Sequence, residues 1–352
     1  MSAWDGTEAI TVAIDQLPVE PVARLCFDKD YIRVAEFLAK WQHRVKQAAF
    51  DFRGRETWLR TLRGQKYPRM TSYYDFSKIE EISTAASVVI AAEYERGKLL
   101  VGASPPAIEL HSWSPDAFGK LYEMGFFEVV GLSEAESKRF VSHAGTVTMQ
   151  IVSGETRAEL DKAGQELERL LDDELTVDDE LAGILFWINT AVSEALTNVT
   201  QWAYRGAGSL QPKRWWLAAT LDPLTKNLSV VFYDQGVTIP NSIKRQDWFE
   251  GILAFGRKLY GSKDETTSWS DSRWIAAALE YGRSRTRLDH RGKGLPQLAD
   301  ILDLCADGSL RIVSRKGCCY LRKDQKMIEE PPIRQPLMGT LIEWKLSLPE
   351  RK

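Results

Sequence analysis

Along the chain, apolar positions alternate between a helical rhythm and a strand-like one, and the changes of rhythm divide it in two. In the first part, Val34, Phe37, Leu38, Trp41 and Val45 recur at helical spacing and predict a helix over Arg33–Phe50. The run Met70–Phe76 reads as a strand, and the polar turn Ser77-Lys78-Ile79-Glu80-Glu81 leads from it into a helix over Thr84–Glu95. Leu99-Leu100-Val101 reads as the next strand, Ser112-Trp113-Ser114-Pro115 opens a helix that ends near Gly125, and Phe126–Val130 reads as a strand again. Strands alternating with helices predict a mostly parallel sheet with helices packed against it.

Residues 131–145 turn polar, which places a domain boundary there and gives domains over 1–140 and 141–352. The second part begins with a strand, Thr146–Val152, and an amphipathic helix, Glu155–Leu171. Thr176-Val177-Asp178-Asp179 has the form of a capping box ahead of a long helix, Leu181–Tyr204. Strands over Arg214–Leu221 and Leu228–Tyr233 flank the turn Asp222-Pro223. After an irregular, helix-containing stretch to Arg291 come a helix from Leu295, strands at Leu310–Ser314 and Cys319–Arg322, and a closing strand, Thr340–Leu346.

A length of 352 residues fits two domains, each long enough to bury a core. The net charge of −3 and pI near 6.0 speak against a nucleic-acid partner. There is no apolar run of membrane-spanning length, nor the basic-then-apolar start of a secretory signal, so the expected location is the cytoplasm. Cys26, Cys305, Cys318 and Cys319 form no CxxC pair, and the four histidines have no metal-ligand spacing. Reduced thiols and no transition-metal centre are expected.

Three clusters in the second part could carry chemistry. Glu194-Ala195-Leu196-Thr197-Asn198 lies inside the long predicted helix. Spacing of four puts the Glu194 carboxylate and the Asn198 amide on one face, where they could activate a hydroxyl and hold a hard cation such as Mg2+. Asp234-Gln235-Gly236-Val237-Thr238-Ile239-Pro240 follows an apolar strand, so Asp234 can turn its carboxylate into a pocket and accept from an exocyclic amine. Gly236 would let a flat base approach the backbone. Arg291-Gly292-Lys293-Gly294 opens a helix after a basic segment with Arg283, Arg285 and Arg287, and its amides suit a phosphate. Taken singly, each also reads as a solvated face or a turn.

In this order the clusters resemble the GHKL ATPases, among them gyrase B, the histidine kinases and MutL, and in compact form the anti-sigma-factor serine kinases. The resemblance spans about residues 145–348. It implies a Bergerat-type α/β sandwich with a mixed sheet and an ATP lid, binding ATP and Mg2+. It also implies Glu194 as general base, Asn198 as the magnesium ligand, Asp234 as the adenine-binding acid and Gly236 under the base. Arg287, Arg291, Gly292, Lys293 and Gly294 fall on the phosphate side, and Thr340 opens the closing strand. Thr238 stands where the family has its second glycine.

The first part is similar to the STAS domains of anti-sigma-factor antagonists, through Tyr74-Asp75-Phe76-Ser77-Lys78-Ile79 and Ile82-Ser83-Thr84-Ala85-Ala86. The family's phosphorylated serine falls on Ala85, which implies a site that is lost or moved by one residue to the nearby Ser83 or Thr84 hydroxyl. Loss is favoured, because a helix N-cap accounts for Ser83 or Thr84 without a phosphate. Together the resemblances imply a regulatory protein that switches partners, either as an ATP-dependent serine/threonine kinase or slow ATPase, or as an inactive, ATP-gated module docking through its STAS-like part. The implied partner is a protein, such as a STAS or sigma-factor-like regulator, and a homodimer is compatible.

Overall fold

The computed structural model describes residues 2–4, 9–14, 22–52, 69–70, 73–102, 106–131, 145–175, 179–199, 213–245, 249–260, 269–285 and 294–349. The chain is α/β and divides into two compact units, Met1–Ala144 and Gly145–Lys352.

In the first unit, short strands β1 (Ser2–Trp4), β2 (Ala9–Thr11), β3 (Ala13–Ile14) and β4 (Arg24–Leu25) precede helix α1 (Phe27–Phe52). The backbone breaks at Asp30, whose carboxylate accepts the Arg33 amide at 3.1 Å, so the regular helix starts at the predicted place. Strands β5 (Arg69–Met70) and β6 (Glu81–Ile82) lead to α2 (Thr84–Val101), and β7 (Ala107–Ile108) to α3 (Pro115–Glu123) and α4 (Phe126–Val130). Ser83 caps α2 by accepting the Ala86 amide at 3.2 Å. Helices α1 and α2 pack against each other around a buried ion pair, Glu93–Arg96, and Arg96 also donates to the Gln42 carbonyl at 3.0 Å. Trp41 stacks on Tyr74 with ring centroids 4.3 Å apart.

Four sequence expectations fail, in whole or in part, in this unit. Leu99–Val101 is the last turn of α2, which runs on until Gly102 closes it at φ 83°. Phe126–Val130 is helical, bracketed by Gly125 at φ 72° and Gly131 at φ 77°, and its aromatic side chains pack on Tyr94, Trp113 and Phe118. A run of three to five mostly apolar residues is too short to carry a period that separates strand from helix. The expected mostly parallel sheet is replaced, among the described residues, by an antiparallel trio β2-β1-β7 and two short parallel pairs, β3 with β5 and β4 with β6. Of the predicted strand Met70–Phe76, Met70 ends β5 and Tyr74 is a single bridge residue, residues 71 and 72 lie outside the described residues, and Phe76–Lys78 forms a 3-10 turn capped by Asp75.

The second unit starts with β8 (Val147–Gly154), α5 (Arg157–Glu174) and α6 (Asp179–Asn198). α5 opens with a complete capping box, Thr156 with Glu159, whereas the box predicted from Thr176 lies outside the described residues. The hairpin β9 (Trp215–Asp222) and β10 (Asn227–Asp234) is followed by α7 (Ile239–Ile243), α8 (Phe249–Tyr260), α9 (Asp271–Arg285) and α10 (Gly294–Asp300). The chain closes with β11 (Asp307–Arg315), β12 (Gly317–Arg322), β13 (Ile328–Glu330) and β14 (Leu337–Ser347). The strands form one sheet in the order β13-β12-β11-β14-β10-β9-β8.

Every neighbouring pair in this sheet is antiparallel, which corrects the expected mixed sheet. The reason is topological: β10 and β11 run the same way, and the last strand enters between them in the opposite direction. Leu217, Ala219, Val230, Phe232, Ile312, Ile342 and Trp344 face a shared core with α5, α6, α9 and α10. The Trp344 indole N–H donates to the Leu298 carbonyl at 2.7 Å and ties α10 to the sheet. All four cysteines are buried thiols outside any disulfide. Among the described residues, no helix is long and apolar enough to cross a membrane.

Candidate functional site

Inserting β14 brings together residues far apart in sequence. At one end of the sheet, cross-strand pairing sets Trp215, Asp234, Thr340 and Ser314 in one transverse row on the helix-facing side. β9 and β10 are largely apolar, and β11 and β14 are buried along most of their length although they carry the buried ion pair Arg311–Glu343 at 3.7 Å. Gly339 makes the closest approach possible. Its φ is 79°, and a Cβ there would collide with the Asp234 carbonyl oxygen.

Asp234 is 5% exposed, and its Oδ1 accepts the Gly236 amide at 2.7 Å. Burial pushes its carboxyl up to about 7, against the lowering effect of that amide. Beside it the Thr340 and Ser314 hydroxyls are 2.9 Å apart, and Ser314 Oγ accepts the Ile239 amide at 2.9 Å. Thr238 occupies the N-cap position of α7, yet its side chain makes no cap bond, and its Oγ1 is buried without a hydrogen-bond partner. Its carbonyl accepts the Asn241 and Ser242 amides instead. A carboxylate flanked by hydroxyls, screened from water, can accept from an amine and exchange a further hydrogen bond with a heterocycle. A buried polar atom left unpaired, such as Thr238 Oγ1, is costly in a finished core.

The second group lies on α6. Glu194 is half-buried, which pushes its carboxyl upward, and Asn198 follows one turn later as the last residue of the helix. Glu194 lines a groove of about 580 Å³ between α5 and α6, together with Ser193, Thr197 and Gln297. Gln297 comes from the first turn of α10, which packs on α6, so the helix opening at Gly294 reaches the groove that Glu194 lines. Thr197 Oγ1 donates back to the Ser193 carbonyl at 2.9 Å.

The structure therefore gathers Asp234, Gly236, Thr238 and Thr340 at the sheet end, and Glu194 with the start of α10 in the groove. The two groups share no lining residue. Arg287, Arg291, Gly292 and Lys293 lie outside the described residues. Ser314 was not legible as a site residue. Its signal was a hydroxyl at a core-facing, period-two position of β11, two residues after Ile312. Among the described residues there is no His, Cys, Asp and Glu cluster able to hold a metal by itself. An Mg2+ ion on Asn198 would thus need oxygens from the phosphates it accompanies. No protein-family model, curated protein or solved structure matches this chain.

Proposed function

We propose that the second unit is a GHKL-type ATP-binding domain and that the protein is a regulatory serine/threonine kinase or slow ATPase that works by switching protein partners. The observation that carries this reading is the buried Asp234 carboxylate, held by one backbone amide in the same cross-strand row as the Thr340–Ser314 hydroxyl pair. An adenine offers an exocyclic amine next to a ring acceptor, which suits a carboxylate beside a hydroxyl. Guanine placed as the adenine would be sets its carbonyl oxygen, in place of the amine, against the same carboxylate.

On the phosphate side, Glu194 takes the proton of the acceptor hydroxyl or water, and its raised affinity for a proton suits a general base. Asn198 supplies one neutral oxygen to Mg2+, whose charge offsets that of the phosphates when both are bound. Arg287, Arg291, Lys293 and the glycines Gly292 and Gly294 belong to the phosphate side by the same resemblance. A second reading, an ATP-gated module without catalysis, draws on Thr238. Where the family has a glycine, this buried side chain at the start of α7 restricts the backbone.

The test follows the γ-phosphate of labelled ATP with the purified protein and Mg2+. Label released or transferred by the wild type, and lost in Glu194→Gln with ATP binding retained, is the expected result. ATP bound with its γ-phosphate untouched selects the gated module, and absence of ATP binding by calorimetry overturns both.

A further inference from the structure

The groove beside Glu194 carries a second message, in its charge. Helix α5 has seven carboxylates against three basic side chains, and α6 has three carboxylates and no lysine or arginine, whereas the whole chain has a net charge of only −3. The two helices thus concentrate negative charge on the layer that holds the groove. Asp161, Glu168 and Glu194 contribute to its lining, with Arg157 at one end ion-paired to Asp161 at 3.0 Å.

The groove is braced from within. A Cβ on Gly164 would lie 3.1 Å from Asn189 Oδ1, so glycine allows close approach of the helices there, and Asn189 Nδ2 donates to Glu168 Oε1 at 2.8 Å. At the rim Phe186 is 65% exposed, packed edge-on against Trp187 at 6.0 Å. A volume of about 580 Å³ holds several side chains rather than one ion. A braced groove needs little ordering on binding, and an exposed aromatic at its rim is typical anchor chemistry. Its negative charge repels nucleic acids and anionic surfaces and attracts cations.

We propose that the groove between α5 and α6 docks a basic polypeptide segment of another protein, with an apolar side chain against Phe186 and lysine or arginine side chains on Asp161 and Glu168. The purpose of this docking, presenting a hydroxyl to Glu194, rests on the function proposed above. The docking itself does not.

Fluorescence anisotropy of the full chain with a short labelled peptide of lysines, leucines and one serine tests it, with the glutamate counterpart as control. The lysine peptide is expected to bind, and to weaken as salt rises from about 0.05 to about 0.3 M. Phe186→Ala should weaken it roughly tenfold, and joint Asp161→Lys and Glu168→Lys replacement should abolish it. Since Phe186 is exposed, its variant should keep the wild-type melting temperature and ATP affinity. Equal binding of both peptides, or lysine-peptide affinity unchanged in the Phe186 and charge-reversed variants, overturns the proposal. Peptide binding without ATP binding leaves the docking standing and removes the ATP reading, and the opposite pattern does the reverse.

Discussion

Replacing Asp234 by asparagine should stabilise the second unit at neutral and alkaline pH while removing its capacity to bind an amine. The wild-type carboxyl titrates near 7 when folded and near 3.9 when unfolded. Between those values the folded state holds the proton more tightly, so stability falls as pH rises from about 4 to about 7 and is level above. The full gap corresponds to about 4 kcal/mol, of which about 2 accrue between pH 5.5 and 8. The asparagine side chain of the Asp234→Asn variant is neutral throughout and can still accept the Gly236 amide through its oxygen. Its NH2 group would then face the adenine amine proposed to donate to Asp234, and ATP binding should be lost.

Equilibrium urea unfolding of both proteins at pH 5.5 and 8, followed by tryptophan fluorescence, measures the effect. Trp215, Trp216 and Trp344 are fully buried in this unit and report its unfolding. The difference between the proteins isolates Asp234 from Glu159 and Asp307, whose carboxyls are held low by hydrogen bonds. The variant should be the more stable at pH 8, with the difference shrinking by about 2 kcal/mol at pH 5.5. A variant no more stable than the wild type at pH 8 refutes the argument that burial dominates this carboxyl.

Gly339→Ala should cost roughly 3 kcal/mol or more, since its Cβ meets the Asp234 carbonyl in a left-handed conformation, and a lowered urea midpoint would check it. Ser314→Ala leaves the Ile239 amide without its acceptor and should cost about 1–3 kcal/mol by the same assay, with weaker nucleotide binding. In the first unit, Arg96→Leu would strand the buried Glu93 carboxylate, with a loss of about 3–5 kcal/mol at pH 8. Burial already pushes the Glu93 carboxyl upward, so this loss should shrink in acid, as thermal melts at two pH values would reveal.

What could be read along the chain was local. The regular part of α1, helices α5 and α6 and the β9–β10 hairpin follow from spacing and turn residues within a few positions. The same spacing set Glu194 one turn from Asn198, and strand β10 ends at Asp234 as its apolar run implied. Local pattern failed where an apolar run was too short to show a period. Leu99–Val101 continues the preceding helix until Gly102 ends it at positive φ, and Phe126–Val130 is a helical turn set between Gly125 and Gly131, with Phe126 and Phe127 packed among other aromatic rings. The cost of a wrong backbone state at those runs is set by packing rather than by propensity.

The candidate site belongs to the other category. Asp234, Thr340 and Ser314 lie in three segments up to about a hundred residues apart, and their row exists because β14 enters between β10 and β11. That insertion keeps the sheet antiparallel between β10 and β11, and it helps bury the carboxyl that is pushed up to about 7. Sequence determined the helix or strand state of the longer, periodic segments, because that choice is made by side chains a few positions apart. Tertiary structure decided which strand ends meet, because hydrogen-bond pairing between distant segments and the exclusion of water around Asp234 arise only once the sheet has closed.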